Sequence, residues 1–438
     1  MRILHTADLH LGKLLEGRGR TAEQKAMLDE ITAIAAREEI DLVLIAGDVF
    51  DTYNPSAEAE RLFFAFLEKI SADGQRAVVA IAGNHDQPQR FSAVSPLAEQ
   101  NGIYLLGTPF DLPEVQDFDE NKVCLLKTGF HSLRIYLPKA KEEAVIAALP
   151  YLSESRLNEL LSQDLSDEKA VSRDYQERLA SIISRAEEDF SDETVNLIMA
   201  HLFLRGGRES DSERKLPALK SEAEDTEDIS KEEASTISVG GSYGVSSEIF
   251  GSITQYAALG HLHRPQQISS PIPCVYAGSP LAYSFSECNQ TKSVIIIEAK
   301  PQGEVQWQRI PLQSGYPLMR MNFDSYDEVL TWCSQEINQN FWLKIKMTVP
   351  LSAEQVNQLK LVHPRILAVE IKPQPTEQVP HAKLEQLSEA EKFHVFAREA
   401  LGREPEEELI NLAIQLMEDQ DDSTNSSEDG EVDTDEAS

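Results

Sequence analysis

At 438 residues, 41% of them hydrophobic, the chain is long enough for two or three domains and can bury a substantial interior. Its formal charge of −34, from 74 acidic against 40 basic residues, weighs against a surface that grips nucleic acid by broad phosphate neutralisation. Cys124, Cys274, Cys288 and Cys333 form no CxxC pair, which argues against structural zinc or a disulfide framework, and no apolar run makes a signal peptide or spans a bilayer, so a soluble cytoplasmic protein with no membrane contact is expected.

Up to about residue 300, short apolar runs alternate with helix-period segments, the pattern of an α/β domain. RILHTA, DLVLIAG, AVVAIAG, VNLIMAH, YAALGH, CVYAG and SVIIIEA read as buried strands. Between the first two, residues 21–40 read as a helix with Met27, Leu28, Ile31, Ile34 and Ala35 on one face, and Thr21 with Gln24 has the spacing of a capping box. The helix over 56–70 carries Leu62, Phe63, Phe64, Phe66, Leu67 and Ile70, more apolar surface than one stripe needs; it is either a deeply buried core helix or one with a face for a second subunit. The acidic segment 209–235 reads as a long surface loop.

Residues 316–373 run strand, helix, strand, helix, strand, a small separate α+β domain. A Pro-containing linker follows, then within 374–417 two short amphipathic helices, one from Ser388 to a stop at Gly402 and one from Pro405, with Ser388 and Glu391 as a capping box. Too small to bury both faces, this pair is expected to dock on its own chain or on a partner. The tail 418–438 holds ten acids and no Lys or Arg, and is expected to be disordered.

Five short motifs fall where an apolar strand ends: DLH (Asp8 to His10), GDVFD (Gly47 to Asp51), GNHD (Gly83 to Asp86), AHL (His201) and GHLH (Gly260 to His263). In open α/β sheets, ligands bind beyond the carboxyl ends of strands, so distant motifs can converge on one pocket. Asp8 and His10, like His261 and His263, are two apart, and in extended chain such residues point the same way. Asp, Asn and His without thiolate suit Mn²⁺, Fe²⁺ or Zn²⁺, whereas Mg²⁺ seldom takes so many imidazoles. The donors exceed what one tetrahedral ion accepts and match two ions sharing a carboxylate, the arrangement that clamps a phosphoryl centre. Alone, DLH or AHL would be noise and GNHD a tight turn; together, each after a strand, they read as one site. His5, His131, His363, His381 and His394 lack such context and read as core or surface histidines, His5 as a neighbour of the site.

With these motifs the chain resembles the calcineurin-like metallophosphoesterases, whose pattern is D-x-H, G-D-x-x-D, G-N-H-D/E, a later H and G-H-x-H. MRILHTADLHLGK, LIAGDVFDTYNPS, AGNHDQPQRF, ALPYLSE, GHLHRPQ and YAGSPLAYSFSE are similar, more closely, to the SbcD nuclease subunits, over about residues 1–415. That resemblance implies a metallophosphoesterase β-sandwich flanked by helices over 1–300, a capping, DNA-binding α+β domain over 316–373 and a C-terminal helix pair. It implies one ion among Asp8, His10, Asp48 and His263 and another among Asp48, Asn84, His201 and His261, with Asp48 bridging. His85 would meet the scissile phosphate, and Asp51 would orient His85 or cap the following turn. The implied activity is a Mn²⁺-dependent exonuclease on double-stranded ends and endonuclease on hairpins and single strands. Its implied partner is the SMC-like ATPase SbcC, docked on the helix pair, with the nuclease as a homodimer inside a heterotetramer. Lys13, Arg18, Arg20, Arg90, Arg205, Arg208 and Arg264 are candidate phosphate contacts at the rim. Two other readings stay open: a phosphatase or phosphodiesterase for a small ester, which would need neither small domain nor helix pair, and a non-catalytic subunit that holds DNA ends.

Overall fold

The computed structural model describes residues 1–108, 111–152, 168–213, 238–239, 242–371, 391, 393 and 394. It divides into two compact units, Met1–Arg320 with Asn340–Trp342, and Met321–Gln339 with Leu343–Ser438. Apart from Glu391, Phe393 and His394, the helix pair expected near the C-terminus lies outside the described residues, as do the tail, His381 and most of the acidic segment.

In the first unit two sheets face each other. The first is built on parallel strands β1 (Arg2–Thr6), β2 (Leu42–Ala46), β3 (Ala77–Ile81) and β4 (Ile103–Leu106), registered Ile3 to Leu42, Leu42 to Ala77 and Val78 to Ile103. In the second sheet β7 (Glu142–Leu149), β8 (Val195–His201), β11 (Tyr256–Gly260) and β13 (Cys274–Tyr276) run parallel, with β5 (Cys124–Thr128) and β6 (Ser132–Leu137) extending one edge and β12 (Gln266–Ile268) the other, while β9 (Ser238–Val239) and β10 (Ser242–Tyr243) pair by themselves. Side chains alternate across a strand, so Leu44 and Val79 meet Ile146, Met199 and Ala258 between the sheets. Val43 and Ile45, facing outward, are covered by Met27, Ile31, Phe63 and Phe66 of helices α1 (Thr21–Arg37) and α2 (Ala57–Ile70). Ile198 and Leu259 are covered by Leu179 and Ile183 of the helix Glu168–Ala186. Burial on both faces is why the strands read as unbroken apolar runs. The first sheet continues past residue 300, because β14 (Ser293–Glu298) pairs with β15 (Gln306–Pro311).

Both long helices qualify the sequence reading. The Thr21–Gln24 capping box does not form: the N-cap is Arg20, Thr21 is already helical, and Gln24 turns inward. Its amide accepts from Gly12 N–H at 3.1 Å and donates to His10 O at 3.1 Å. In α2, Ser56 caps the helix, and Phe63, Phe66, Leu67 and Ile70 enter the core while Phe64 is 36% exposed. The buried guanidinium of Arg76 ties the two helix ends together, donating to Ala35 O at 3.1 Å, to Ile40 O at 2.8 Å and to Ile70 O.

The second unit holds most of a three-stranded sheet in the order β16 (Leu318–Phe323), β17 (Trp342–Met347), β18 (Ile366–Ile371), the last two parallel. Helices Tyr326–Cys333 and Ala353–Val362 begin at Ser325 and Ser352, the latter closing a capping box with Gln355, and Val329, Cys333, Ile345, Met347 and Leu359 are buried. This is the strand and helix order read from residues 316–373. No helix of the described residues is long and apolar enough to cross a membrane.

Candidate metal centre

All five motifs sit at the carboxyl ends of parallel strands and come together where the two sheets meet: β1, β2 and β3 contribute Asp8, His10, Asp48, Asn84 and His85, while β8 and β11 contribute His201, His261 and His263. The strands stop there because the backbone turns left-handed. Asp8 (φ 53°), His10 (φ 42°), Asp48 (φ 49°) and His261 (φ 101°) all adopt conformations that side chains rarely take, each at a cost of about 1–3 kcal/mol. Gly47, at φ 89°, also makes room: a Cβ there would lie 2.1 Å from His201 Nδ1.

This turning corrects the expectation that His261 and His263 reach one spot by strand alternation. His261 is not extended; its Nδ1 lies 3.2 Å from Asn84 Oδ1, whereas His263 Nε2 faces His10 Nε2 at 2.9 Å. Two clusters result. Asp8, His10 and His263 form one, and Asp8, Asp48 and His201 the other, while His10, Asp51 and His85 make a third group beside them, each with donor atoms within 4.8 Å of one another. Asn84 Oδ1 joins the second at 2.9 Å from His201 Nε2. Asp48 Oδ2 lies between them, 3.6 Å from His10 Nε2 and 3.5 Å from His201 Nε2. Its other oxygen accepts from His85 N–H at 2.9 Å.

His85 is half-buried beside this cluster, its ring edge-on to His10 with centroids 4.9 Å apart. Its Nδ1 lies 2.7 Å from the main-chain carbonyl of Asp51, which can only accept, so Nδ1 carries the proton. Asp51 therefore reaches His85 through its backbone. Its carboxylate instead pairs with Lys13 Nζ at 2.7 Å and stands 3.6 Å from His10 Nδ1.

The electrostatics are those of buried anions. Burial pushes the Asp8 carboxyl up to about 7 and the His10 imidazole down to about 3. Burial would also depress His201, yet the Asp48 and Asp8 carboxylates carry it up to about 9. Asp8 Oδ2 and His10 Nδ1 are buried without any hydrogen-bond partner. An orphaned carboxylate oxygen beside two imidazole Nε2 atoms at 2.9 Å fits a cation between them, and the oxygen and nitrogen donors fit a divalent ion of borderline hardness.

Several supporting residues escaped the sequence reading. Asp86 accepts from Gly83 N–H at 2.8 Å, Val49 N–H at 3.1 Å and Phe50 N–H at 2.8 Å, joining two of the motif loops. Tyr283 donates to Leu9 O and lies edge-on to His10. Ser212 and Glu213, at the start of the supposed surface loop, contact His263, and Ser210 and Glu213 are buried there. Among the candidate rim cations, Arg20 is 2% exposed and bound to Glu23 and Ala282 O, so it cannot meet phosphate, and Arg90 pairs with Glu60; Arg18, Arg205 and Arg208 are exposed. His5 is a core strut, with Nδ1 3.2 Å from Tyr256 Oη and Nε2 3.2 Å from Leu259 O.

Residues 1–225 match the calcineurin-like phosphoesterase family. Over 428 residues the chain is 39% identical to the SbcD component of nuclease SbcCD from Bacillus subtilis (strain 168), a match that covers 95% of this chain and 97% of that relative. The proteins of the same name from Rhodobacter capsulatus and Staphylococcus epidermidis are 33% and 28% identical over 73% and 84% of this chain, and over 71% and 85% of their own lengths.

Proposed function

The chain belongs to the calcineurin-like phosphoesterases and, within them, to the SbcD nuclease subunits, which are metal-dependent phosphodiester hydrolases; from that premise we propose that it cleaves DNA at a pair of divalent cations, Mn²⁺ first among them. Asp8, His10, Asp48 and His263 hold one ion, and Asp48, Asn84, His201 and His261 the other. The observation that supports this assignment is Asp48 Oδ2, which stands 3.6 Å from His10 Nε2 and 3.5 Å from His201 Nε2, as a shared carboxylate must. Ions in those positions would supply Lewis-acid activation of water and neutralise the phosphodiester charge.

The chain's own residues do the rest. Asp48 holds the His85 main chain, and Asp51 O accepts a hydrogen bond from His85 Nδ1–H, which leaves Nε2 to face the scissile group. In its protonated form that nitrogen donates to the departing oxygen, and charge on the pentacovalent phosphorus is stabilised by the same contact. Lys13 neutralises the Asp51 carboxylate at 2.7 Å. Residues 316–373 act as the capping, DNA-binding domain and the helix pair in 374–417 as the dock for an SbcC-type SMC-like ATPase, with the nuclease as a homodimer in the complex. Exonuclease action on duplex ends and endonuclease action on hairpins and single strands are the activities we assign.

The test incubates the purified full chain with Mn²⁺ and labelled duplex, hairpin and small phosphodiester substrates, alone and with the ATPase. Cleavage of duplex ends and hairpins, abolished by chelation and by His85→Gln with Mn²⁺ binding retained, is expected. Hydrolysis of the small ester alone would defeat the nuclease assignment, and a fully active His85→Gln would remove that residue from the mechanism.

A further inference from the structure

The stretch YAGSPLAYSFSE has no role in the chemistry above, nor does the turn at residues 210–213, yet the two meet behind His263. Asp211 N–H donates to Ser286 Oγ at 3.0 Å, and Gln290 Nε2 donates to Ser210 Oγ at 3.1 Å. Between these contacts Ser212 Oγ touches His263 Nδ1 and Glu287 Oε1, each at 2.8 Å. Glu287 is buried, and its other oxygen receives the ammonium of Lys292, which also donates to His263 O at 2.9 Å and to Ser279 Oγ at 3.0 Å. Glu213 accepts from His263 N–H.

Proton counting decides what this arrangement does. Both oxygens of Glu287 already accept, Oε2 from the Lys292 ammonium and Oε1 from Ser284 N–H at 3.0 Å and Tyr283 N–H at 3.3 Å, so the carboxylate meets Ser212 as an acceptor. The Ser212 hydroxyl has one proton, and it goes to Glu287. Ser212 Oγ must then accept from His263, which places the imidazole proton on Nδ1 and leaves the Nε2 lone pair aimed at His10 Nε2, 2.9 Å away. A rotated ring or the other tautomer would put a proton where the cluster needs an electron pair.

We propose that Ser212 and Glu287, with Lys292 as counter-ion, are positioning residues for the metal centre: they fix the tautomer and orientation of His263 and so set the affinity of the ion it shares with Asp8 and His10. The proposal rests on the two-ion reading, and it gives the first residues of the acidic segment a part in metal binding. Orienting contacts of this kind are worth about 10–100-fold in metal affinity.

The experiment titrates Mn²⁺ into metal-free full chain and follows free Mn²⁺ by electron paramagnetic resonance, beside ¹⁵N spectra of histidine-labelled protein to read the His263 tautomer. Ser212→Ala and Glu287→Gln should weaken one of two binding events by about 10–100-fold and leave the other unchanged, while Ser212→Thr, which keeps the hydroxyl, restores it. Should Glu287→Gln unfold the chain, the Ser212→Ala and Ser212→Thr pair still decides. Equal Mn²⁺ affinity in Ser212→Ala and wild type, or a wild-type His263 protonated on Nε2, overturns the proposal. A wild type that takes up no Mn²⁺ but keeps His263 protonated on Nδ1 through Ser212 sinks the two-ion reading and leaves the orienting relay standing.

Discussion

Asp86, the last residue of GNHD, binds no candidate ion yet accepts three main-chain N–H groups from two loops of the site. Replacing it with Ala orphans all three; at about 2 kcal/mol per buried unpaired donor the loss is about 6 kcal/mol. Part of that is returned. Burial and the neighbouring Asp48 raise the Asp86 carboxyl from 3.8 to about 6, so keeping the anion costs about 3 kcal/mol at 1.36 kcal/mol per pH unit. The net for Asp86→Ala is about 3 kcal/mol of destabilisation. Asp86→Asn keeps an oxygen for Gly83 and Val49 but sets its amide N–H against Phe50 N–H, two unpaired donors at about 4 kcal/mol together, and sheds the anion penalty of about 3 kcal/mol, so it should fall within about 1 kcal/mol of wild type. Urea unfolding of chelator-treated protein measures both, and Mn²⁺ titration should show weakened binding in the Ala variant alone. An Asn variant as unstable as Ala, or an Ala variant indistinguishable from wild type, would refute the reasoning.

Arg76→Ala frees three carbonyls at the ends of α1 and α2 and should cost about 3–5 kcal/mol in unfolding experiments, with kcat per folded molecule unchanged because Arg76 lies at the amino end of β3, away from the site. Gly47→Ala would drive a methyl against His201 and should lower Mn²⁺ affinity more than 100-fold, as read by calorimetry, on the basis that about 3 kcal/mol of displacement is a factor of this order. For Glu23, burial works against the charge, but the Arg20 guanidinium, Tyr316 N–H and the Trp342 indole hold its carboxyl below the usual 4.5. Its folded value is below its unfolded one, so its contribution is complete above pH 4.5 and is lost as pH falls through the folded value; Glu23→Gln should flatten that acid limb of the stability curve. Deleting residues 418–438 should leave nuclease rates unchanged or raised, checked on the same labelled duplex.

Much of this was legible in the chain. Strands buried on both faces announce themselves as apolar runs, and five of them led directly to the motifs. The sandwich itself was harder to see: β5 and β6 mix Lys and Arg among their apolar residues, as in SLRIYL, because they form a partly exposed edge, and so carry a weaker signal than β2 or β3. Convergence of the motifs was legible, but its mechanism was not. Two-residue spacing suggested strand alternation, whereas left-handed turns at Asp8, His10, Asp48 and His261 aim the side chains; Asp and His tolerate that region better than most residues, but the same residue types also read simply as donors. Ser212 and Glu213 were hidden in an acidic stretch whose composition describes solvated chain; two of its residues are buried only because a partner 50 residues later is a histidine of the site. Gln24 looked like half of a capping box, since the same side chain that closes a helix start can equally brace a neighbouring loop.

The donors come from both layers of the sandwich, so a metal centre built from them would act as a checkpoint on assembly. A chain with only its first layer formed has Asp8, His10, Asp48 and Asn84 but none of His201, His261 or His263, and it cannot retain a tightly bound pair of cations. On the proposed two-ion assignment, nascent or clipped molecules would be inert until the layers close, and each cation, once captured, would rivet one layer to the other and add its binding free energy to the fold.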